Sequence, residues 1–171
     1  MHTDSLQCSV TIRPMALEDI ARVHEIDVLS FSLPWSERSF RFELTENHNA
    51  SVWVAEAAYP GQAPVVAGVI VIWVILDEAH VATIAVHPNY RKYGIGRRLL
   101  AQGLLAAHER GARLAYLEVR RSNVNAQNLY HKFGFLVVGE RPRYYKDNNE
   151  DALLMTLEDM QPEKLQSFLV G

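Results

Sequence analysis

Thr83-Ile84-Ala85-Val86-His87-Pro88-Asn89-Tyr90-Arg91-Lys92-Tyr93-Gly94-Ile95-Gly96-Arg97-Arg98-Leu99-Leu100 decides how the rest of the chain is read. It predicts a buried strand ending at Val86, a proline-punctuated turn, a loop with two glycines, and then a helix. Gly94 and Gly96 leave the backbone bare where a ligand approaches closely. The amides of Lys92 to Arg97 lie near a helix N-terminus, where orphan N–H groups and the helix dipole attract an anion. Arg91, Lys92, Arg97 and Arg98 add side-chain charge around the same point. The implied ligand is a pyrophosphate. A Walker A loop requires Gly-Lys-Ser/Thr, but Gly96 is followed by Arg97-Arg98. A dinucleotide fingerprint requires a third glycine where Leu99 stands.

Upstream of this stretch, the alternating residues Ser51 to Ala58, Val65 to Leu76 and His80 to Val86 read as three strands. Their connections, Tyr59-Pro60-Gly61-Gln62 and Asp77-Glu78, are short enough to predict an antiparallel meander. Before them come a first strand, Val10 to Met15, and a helix from about Ala16 to Ser30 on which Leu17, Ile20, Val23 and Ile26 recur. Phe31 to Glu37 then holds Pro34-Trp35, and Ser36 is the expected N-cap of a helix from Glu37 to Glu46. The Pro-Trp loop is equally a hydrophobic plug or one wall of a groove. His24, with no second ligand at metal spacing, reads as a packed or half-exposed histidine.

Downstream, the helix from Gly96 shows Leu100, Leu104 and Ala107 to the core and stops at Gly111, a C′ residue. Leu114 to Arg120 follows as a strand, and the strand–helix–strand order implies parallel pairing with the strand before it. Ser122 or Asn123 caps another helix, closed by Gly134 in a left-handed conformation. Leu136 to Arg141 and Asp151 to Glu158 form a last hairpin, and residues 161–171 a short tail that is helical or coil. One α+β domain spanning 1–171, a mixed sheet of about seven strands flanked by about four helices, is the expectation.

Composition narrows the function. Apolar residues are 49% and charged residues 22%, ordinary for a soluble globular chain. A single cysteine, Cys8, excludes an internal disulfide framework and a Cys-rich metal site, and suits a reducing cytoplasm. The longest apolar run, Ala63 to Leu76, is too short for a bilayer, and Met1-His2-Thr3-Asp4-Ser5 lacks the basic start of an export signal. The net charge of −3 hides a gradient. Residues 1–86 carry four Lys/Arg against eleven Asp/Glu, residues 87–147 twelve against four, and residues 148–171 one against five. Positive charge therefore gathers on and after the glycine loop, which suits a small polyanionic cofactor better than nucleic acid.

The loop Arg91-x-x-Gly94-x-Gly96 is followed in order by Leu117-Glu118-Val119-Arg120-x-Ser122-Asn123 and Ala126-x-x-Leu129-Tyr130-x-x-Phe133-Gly134-Phe135. Taken together these resemble the GNAT superfamily of N-acetyltransferases across nearly the whole chain. Phe31-x-x-Pro34-Trp35-Ser36-Glu37, Arg143-Tyr144-Tyr145 and Glu150-Asp151-Ala152-Leu153-x-Met155 bring the likeness closest to the bacterial ribosomal-protein-alanine N-acetyltransferases of RimI type. The resemblance implies acetyl-CoA as cosubstrate without a metal, and a protein N-terminus, that of a ribosomal protein, as acceptor. It implies backbone contacts from Ile84, Ala85 and Val86 to the pantetheine arm. Arg91 and the loop Lys92, Tyr93, Gly94, Ile95, Gly96 and Arg97 would hold the pyrophosphate, and Asn123 would contact the cofactor from the next helix. Glu118 is placed as general base and Tyr130 as general acid, with Pro34 and Trp35 opposite Tyr144 and Tyr145 as groove walls. The turn Tyr59 to Ala63 departs from the pattern and is expected to sit away from the cofactor. Membrane and nucleic-acid partners are not implied, and oligomeric state stays open.

The chemistry fits those residue types. Acetyl transfer to an amine needs a deprotonated amine, a polarised carbonyl and a protonated leaving thiolate. An α-amine loses its proton at about 7.7–8.0 against about 10.4 for lysine, a difference of about 3.4 kcal/mol that favours an N-terminal acceptor beside one carboxylate. A phenol near 10 protonates a thiolate near 8.5 at a cost of about 2 kcal/mol, which a tight site offsets. No nucleophilic cysteine is needed, so direct transfer is expected. Two alternatives stay open: a broader N-terminal, lysine or small-amine acetyltransferase, and a non-catalytic acetyl-CoA-binding module.

Overall fold

The computed structural model describes residues 7–171; the stretch Met1–Ser5 that carries the export argument lies outside the described residues. Strand β1 (Ser9–Pro14) and a 3-10 turn (Leu17–Asp19) lead into helices α1 (Ile20–Ser30) and α2 (Glu37–Thr45). Strands β2 (Ala50–Ala58), β3 (Val65–Ile75) and β4 (Glu78–Val86) follow, then a second 3-10 turn (Pro88–Tyr90) and helix α3 (Ile95–Glu109). Strand β5 (Leu114–Arg120), helix α4 (Val124–Phe133), strands β6 (Leu136–Tyr145) and β7 (Glu150–Leu157), and helix α5 (Pro162–Ser167) complete the chain.

The strands form one sheet in the order β1-β2-β3-β4-β5-β7-β6, antiparallel throughout except for β4 and β5. The meander and the parallel crossover are as the sequence predicts. β3, built largely from Val and Ile, takes a central place that suits β-branched side chains. The final hairpin folds back so that β7 lies inside and β6 on the edge. Composition explains that choice: β7 carries the apolar run Ala152 to Met155 and Leu157, whereas β6 carries Glu140, Arg141, Pro142 and Arg143, residues that an edge tolerates.

Helices α1 and α2 cover one face, where Val23, Ile26 and Phe40 pack on Val54, Val69 and Val71. Helices α3, α4 and α5 cover the other, where Leu99, Leu100, Leu104, Phe133 and Leu165 pack with Ile70, Leu117 and Met155. Besides shifts of one or two residues at strand and helix ends, three boundaries differ from expectation. The first helix begins as a 3-10 turn because Asp19 Oδ2 accepts the Ala16 N–H (2.8 Å) while Arg13 grips both oxygens (2.7 and 2.9 Å). The tail adds a fifth α-helix, anchored by the buried Leu165. Strand β6 runs four residues further than expected and so takes up Tyr144 and Tyr145; the pairing is interrupted between Arg141 and Tyr145, then resumes at Tyr145 opposite Glu150.

Strand β4 is irregular along both edges. Its register against β3 shifts at Ala82, between Val81 opposite Ile72 and Thr83 opposite Val71. Its parallel ladder with β5 consists of Glu78 with Leu114, Ala79 with Ala115 and His80 with Tyr116, and ends there. The sheet is thus open between residues 81–86 and 117–120.

Helix α3 lies against β3 and β4 behind this opening. A methyl at Gly68 would stand 2.9 Å from Leu99 Cδ1, 3.0 Å from Ile95 Cγ2 and 3.1 Å from the Ala85 carbonyl. Gly68→Ala is therefore expected to destabilise the protein by about 1–3 kcal/mol, read as a lower urea midpoint with unchanged slope.

Candidate active site

Where the ladder ends, backbone groups on β4 face the gap without a strand to pair with. The His87 N–H bonds to the Ala67 carbonyl (2.8 Å), so by the alternation of an antiparallel ladder Ala85 belongs to the set bonded to β3. Ile84 and Val86 direct their backbone groups to the open side. Of the three residues named from sequence, two thus have backbone groups free toward the opening and Ala85 does not. Arg91 Nε donates to the Val86 carbonyl (3.1 Å), tying the loop back to the strand end.

The loop then enters α3 through two unusual backbone conformations, Lys92 at φ 116° and Gly94 at φ 71°. The first intrahelical bond runs from the Arg98 N–H to the Gly94 carbonyl (3.1 Å), which leaves the N–H groups of the preceding turn to an outside acceptor. Arg97 and Arg98 do not converge on that point: Arg97 donates to the carbonyls of Val170 and Gly171 (3.3 and 3.4 Å), and Arg98 to those of Val10 and Gly171 (3.1 and 2.8 Å). What the loop offers an anion is therefore main-chain donors more than the side-chain charge of Arg97 and Arg98. The turn Tyr59–Ala63, expected to stand clear, meets the loop, because the Tyr59 and Tyr93 hydroxyls are 3.2 Å apart and the contact pushes the Tyr59 phenol up to about 12. Asn123 is the N-cap of α4, its Oδ1 accepting from the Ala126 N–H (3.2 Å).

Glu118 and Tyr130 belong to opposite faces of the sheet. On β5, Leu117 and Val119 point into the core beneath α3, whereas Glu118 and Arg120 point to the side of α1 and α2. Glu118 keeps Arg141 at 3.7 Å and faces the Tyr144 hydroxyl, whose phenol is raised by its hydrogen bond to Glu118 and by burial. Tyr130 is buried among the core residues near Phe135, and its carbonyl accepts from the Phe135 N–H (3.1 Å) in the turn that ends α4 at Gly134. Burial raises its phenol well above the ordinary value, with Tyr145 adding to the effect. Tyr145, itself pushed up to about 12 mainly by burial, feels Glu118 as well. It is the residue within electrostatic reach of both.

The two expected groove walls behave differently. Tyr144 and Tyr145 stand beside Glu118, their rings perpendicular at 5.2 Å. The Trp35 ring instead packs on Phe40 (5.3 Å) and Trp73 (6.4 Å), and lines a recess of about 350 Å³ with Arg38, Ser39, Phe42 and Glu43. Its main chain is clamped by α1, with His24 Nδ1 on its carbonyl (2.9 Å) and its N–H donating to Asp27 Oδ2 (2.7 Å). Trp35 is a plug that shapes the loop. Contact with the tyrosine side comes from Ser32, whose hydroxyl donates to Asp147 in the β6–β7 turn.

The family model that matches is that of the acetyltransferase (GNAT) family, over residues 20–135. The chain belongs to this family. It is an N-acetyltransferase, an enzyme that moves an acetyl group to an amine. Among its relatives is a Bacillus subtilis (strain 168) protein carrying the provisional name ribosomal protein bS18-alanine N-acetyltransferase, 42% identical over 150 residues, 88% of this chain and 96% of the relative. The crystal structure of the ribosomal-protein-S18-alanine N-acetyltransferase from Escherichia coli superposes with a TM-score of 0.76 at 31% identity, covering 90% of this chain and 96% of the other. Arabidopsis thaliana NAA60 in complex with acetyl-CoA shares the fold, with a TM-score of 0.77 at 19% identity over 88% and 99% of the two chains.

Sequence reading of this GNAT enzyme misses four side chains around Glu118: Ser32, Arg120, Arg141 and Asp147. Arg120 stands in a recognised motif without a role of its own, and the acidic turn after Tyr145 reads only as polar. Both signals lie in charge spacing that means nothing until β5 and the last hairpin are paired. No helix among the described residues is long and apolar enough to cross a membrane.

The turn's carboxylates are strongly held. The Ser122 hydroxyl and N–H (2.7 Å from the latter), with Asn148 and Arg120, lower Glu150 from its ordinary 4.5 to about 2. A carboxyl with a lowered folded-state pKa contributes stability that is complete above its unfolded value and is lost as pH falls through the folded one. The urea midpoint of the wild-type protein should therefore fall between pH 4.5 and about 2 more steeply than that of Glu150→Gln. Equal slopes would contradict this assignment.

Proposed function

We propose that this enzyme is an acetyl-CoA-dependent Nα-acetyltransferase for the N-terminal alanine of a ribosomal protein, working in the cytoplasm as one domain by direct transfer within a ternary complex. The observation that carries the reading is the opening between β4 and β5, with Glu118 on the outer face of β5 and Tyr130 buried in the layer beneath the other face. The likeness to the Bacillus and Escherichia enzymes over nearly the full length of each chain supports the choice of acceptor.

The residues at hand fit the cofactor. The open-side backbone groups of Ile84 and the Val86 N–H suit an amide-bearing pantetheine arm, and the main chain from Lys92 to Arg97 suits a diphosphate. Asn123 at the head of α4 has amide hydrogens left to donate beyond its capping bond. When bound, acetyl-CoA supplies the thioester that is attacked. Glu118 takes the proton of the acceptor amine, a modest demand for an α-ammonium. Tyr130, its phenol raised by burial, holds its proton at Oη through the neutral range and offers it on the inner side of the opening. Main-chain N–H groups at the end of β4 polarise the carbonyl. The Tyr144–Tyr145 pair and the loop around Pro34 and Trp35 enclose the first residues of the acceptor.

Mass spectrometry of a panel of N-terminal peptides, free lysine and polyamines after incubation with acetyl-CoA should show acetylation of alanine N-termini. Acetylation confined to small amines would overturn the acceptor assignment, and wide acetylation of N-termini would replace it with the broader one. Glu118→Gln and Tyr130→Phe should each lower kcat by about 100-fold or more while leaving coenzyme A affinity intact. Unchanged kcat in both would point to a binding module. Gly94→Ala forces a side chain into the left-handed region at a cost of about 1–2 kcal/mol. Calorimetry should show coenzyme A affinity reduced by roughly fivefold to thirtyfold.

A further inference from the structure

Arg120 follows Glu118 by two residues on β5, so both side chains rise from the same face of the strand. Its guanidinium is surrounded on three sides. Nη2 donates to both Asp147 oxygens (3.0 and 3.1 Å), and Nη1 reaches Asn148 Oδ1 (3.2 Å) and Glu150 Oε2 (3.4 Å). Its carbon lies 3.9 Å from the centre of the Tyr145 ring, and Nη2 is 3.5 Å from Ser32 Oγ. Ser32 closes the figure by donating to Asp147 Oδ2, which lowers the Asp147 carboxyl together with Arg120. One side chain thus joins the strand bearing the base, the tyrosine hairpin and the loop between α1 and α2.

We propose that Arg120 is the positioning residue of the acceptor site: by binding Asp147, Glu150, the face of Tyr145 and, with Asp147, Ser32, it sets the distance between the two walls about Glu118. It acts through these groups and touches no reacting atom. This inference rests on the reading of Tyr144, Tyr145 and the Pro34–Trp35 loop as acceptor walls. The arrangement calls for arginine in particular. A planar fork meets a carboxylate with parallel donors while its face stacks on a phenol ring, and a lysine ammonium offers a point charge without either geometry. Nearly all of the partners are partly exposed, where such pairs add little to global stability. Their effect falls on the spacing of the walls.

The test measures steady-state kinetics with an alanine-starting peptide and acetyl-CoA for Arg120→Lys, Ser32→Ala and the double variant, with thermal midpoints alongside. Arg120→Lys should raise the peptide KM at least tenfold, change kcat less than threefold and leave the acetyl-CoA KM unchanged. Ser32→Ala should raise the peptide KM by a smaller factor, and the double variant should match Arg120→Lys alone, because the serine acts through the same cluster. Should Arg120→Lys fail to fold, Asp147→Asn takes its place with the same expected split. An unchanged peptide KM, fully multiplicative effects in the double variant, or losses of kcat that track the thermal midpoint would overturn the role of Arg120. A wild-type enzyme that acetylates no N-terminal peptide would instead sink the acceptor reading, and this inference with it.

Discussion

The parallel ladder between β4 and β5 ends after three residue pairs, and the rest of the site depends on that interruption. Interior strands of a sheet normally pair on both edges, because an unpaired amide withdrawn from water carries a cost near that of a lost hydrogen bond. Here β4 keeps β3 along one edge and loses β5 along the other from Val81 onward, just where its register shifts at Ala82. The resulting gap presents main-chain donors and acceptors to whatever enters it. Helix α3 starts beyond the same strand end, so its own unbonded N–H groups lie near the same point. A ligand with an amide-bearing arm and an anionic end satisfies both sets at once.

The same opening accounts for how the base and the acid proposed above come from opposite layers. Glu118 belongs to the face covered by α1 and α2, among charges and tyrosines. Tyr130 belongs to the face covered by α3 and α4, where burial keeps a phenol protonated. A closed sheet would separate them. In the proposed reaction, opening it lets two environments of different polarity serve one centre.

Around Glu118 the protein spends its charged residues on geometry. Arg120, Asp147, Glu150 and Ser32 connect elements that the chain separates by about a hundred residues, and Arg121 pairs with Glu140 and Asp151 alongside. Partly exposed pairs of this kind contribute little to stability at neutral pH. They restrict where the tyrosine hairpin and the loop before α2 stand. Trp35 does comparable work on the other side by filling the space between Phe40 and Trp73 while α1 holds its main chain at both ends.

The strand, glycine loop and helix from Thr83 to Leu100 were legible because their signals are local: apolar run, proline, glycines, then helical period. The order of the motifs around Glu118 and Tyr130 also carried the family likeness and, through it, the chemistry. By itself the sequence determined the element types and the glycine loop at the head of α3, since each depends on residues within one or two turns of one another, and the strand–helix–strand order determined the parallel crossover. Only the tertiary structure decided that β7 lies inside β6, that Trp35 is a plug, that Tyr59 meets Tyr93, and that Arg120 gathers Ser32 and Asp147. The tyrosine and arginine contacts join positions 27 to 115 residues apart and arise from which strand faces which helix, so no short-range pattern encodes them.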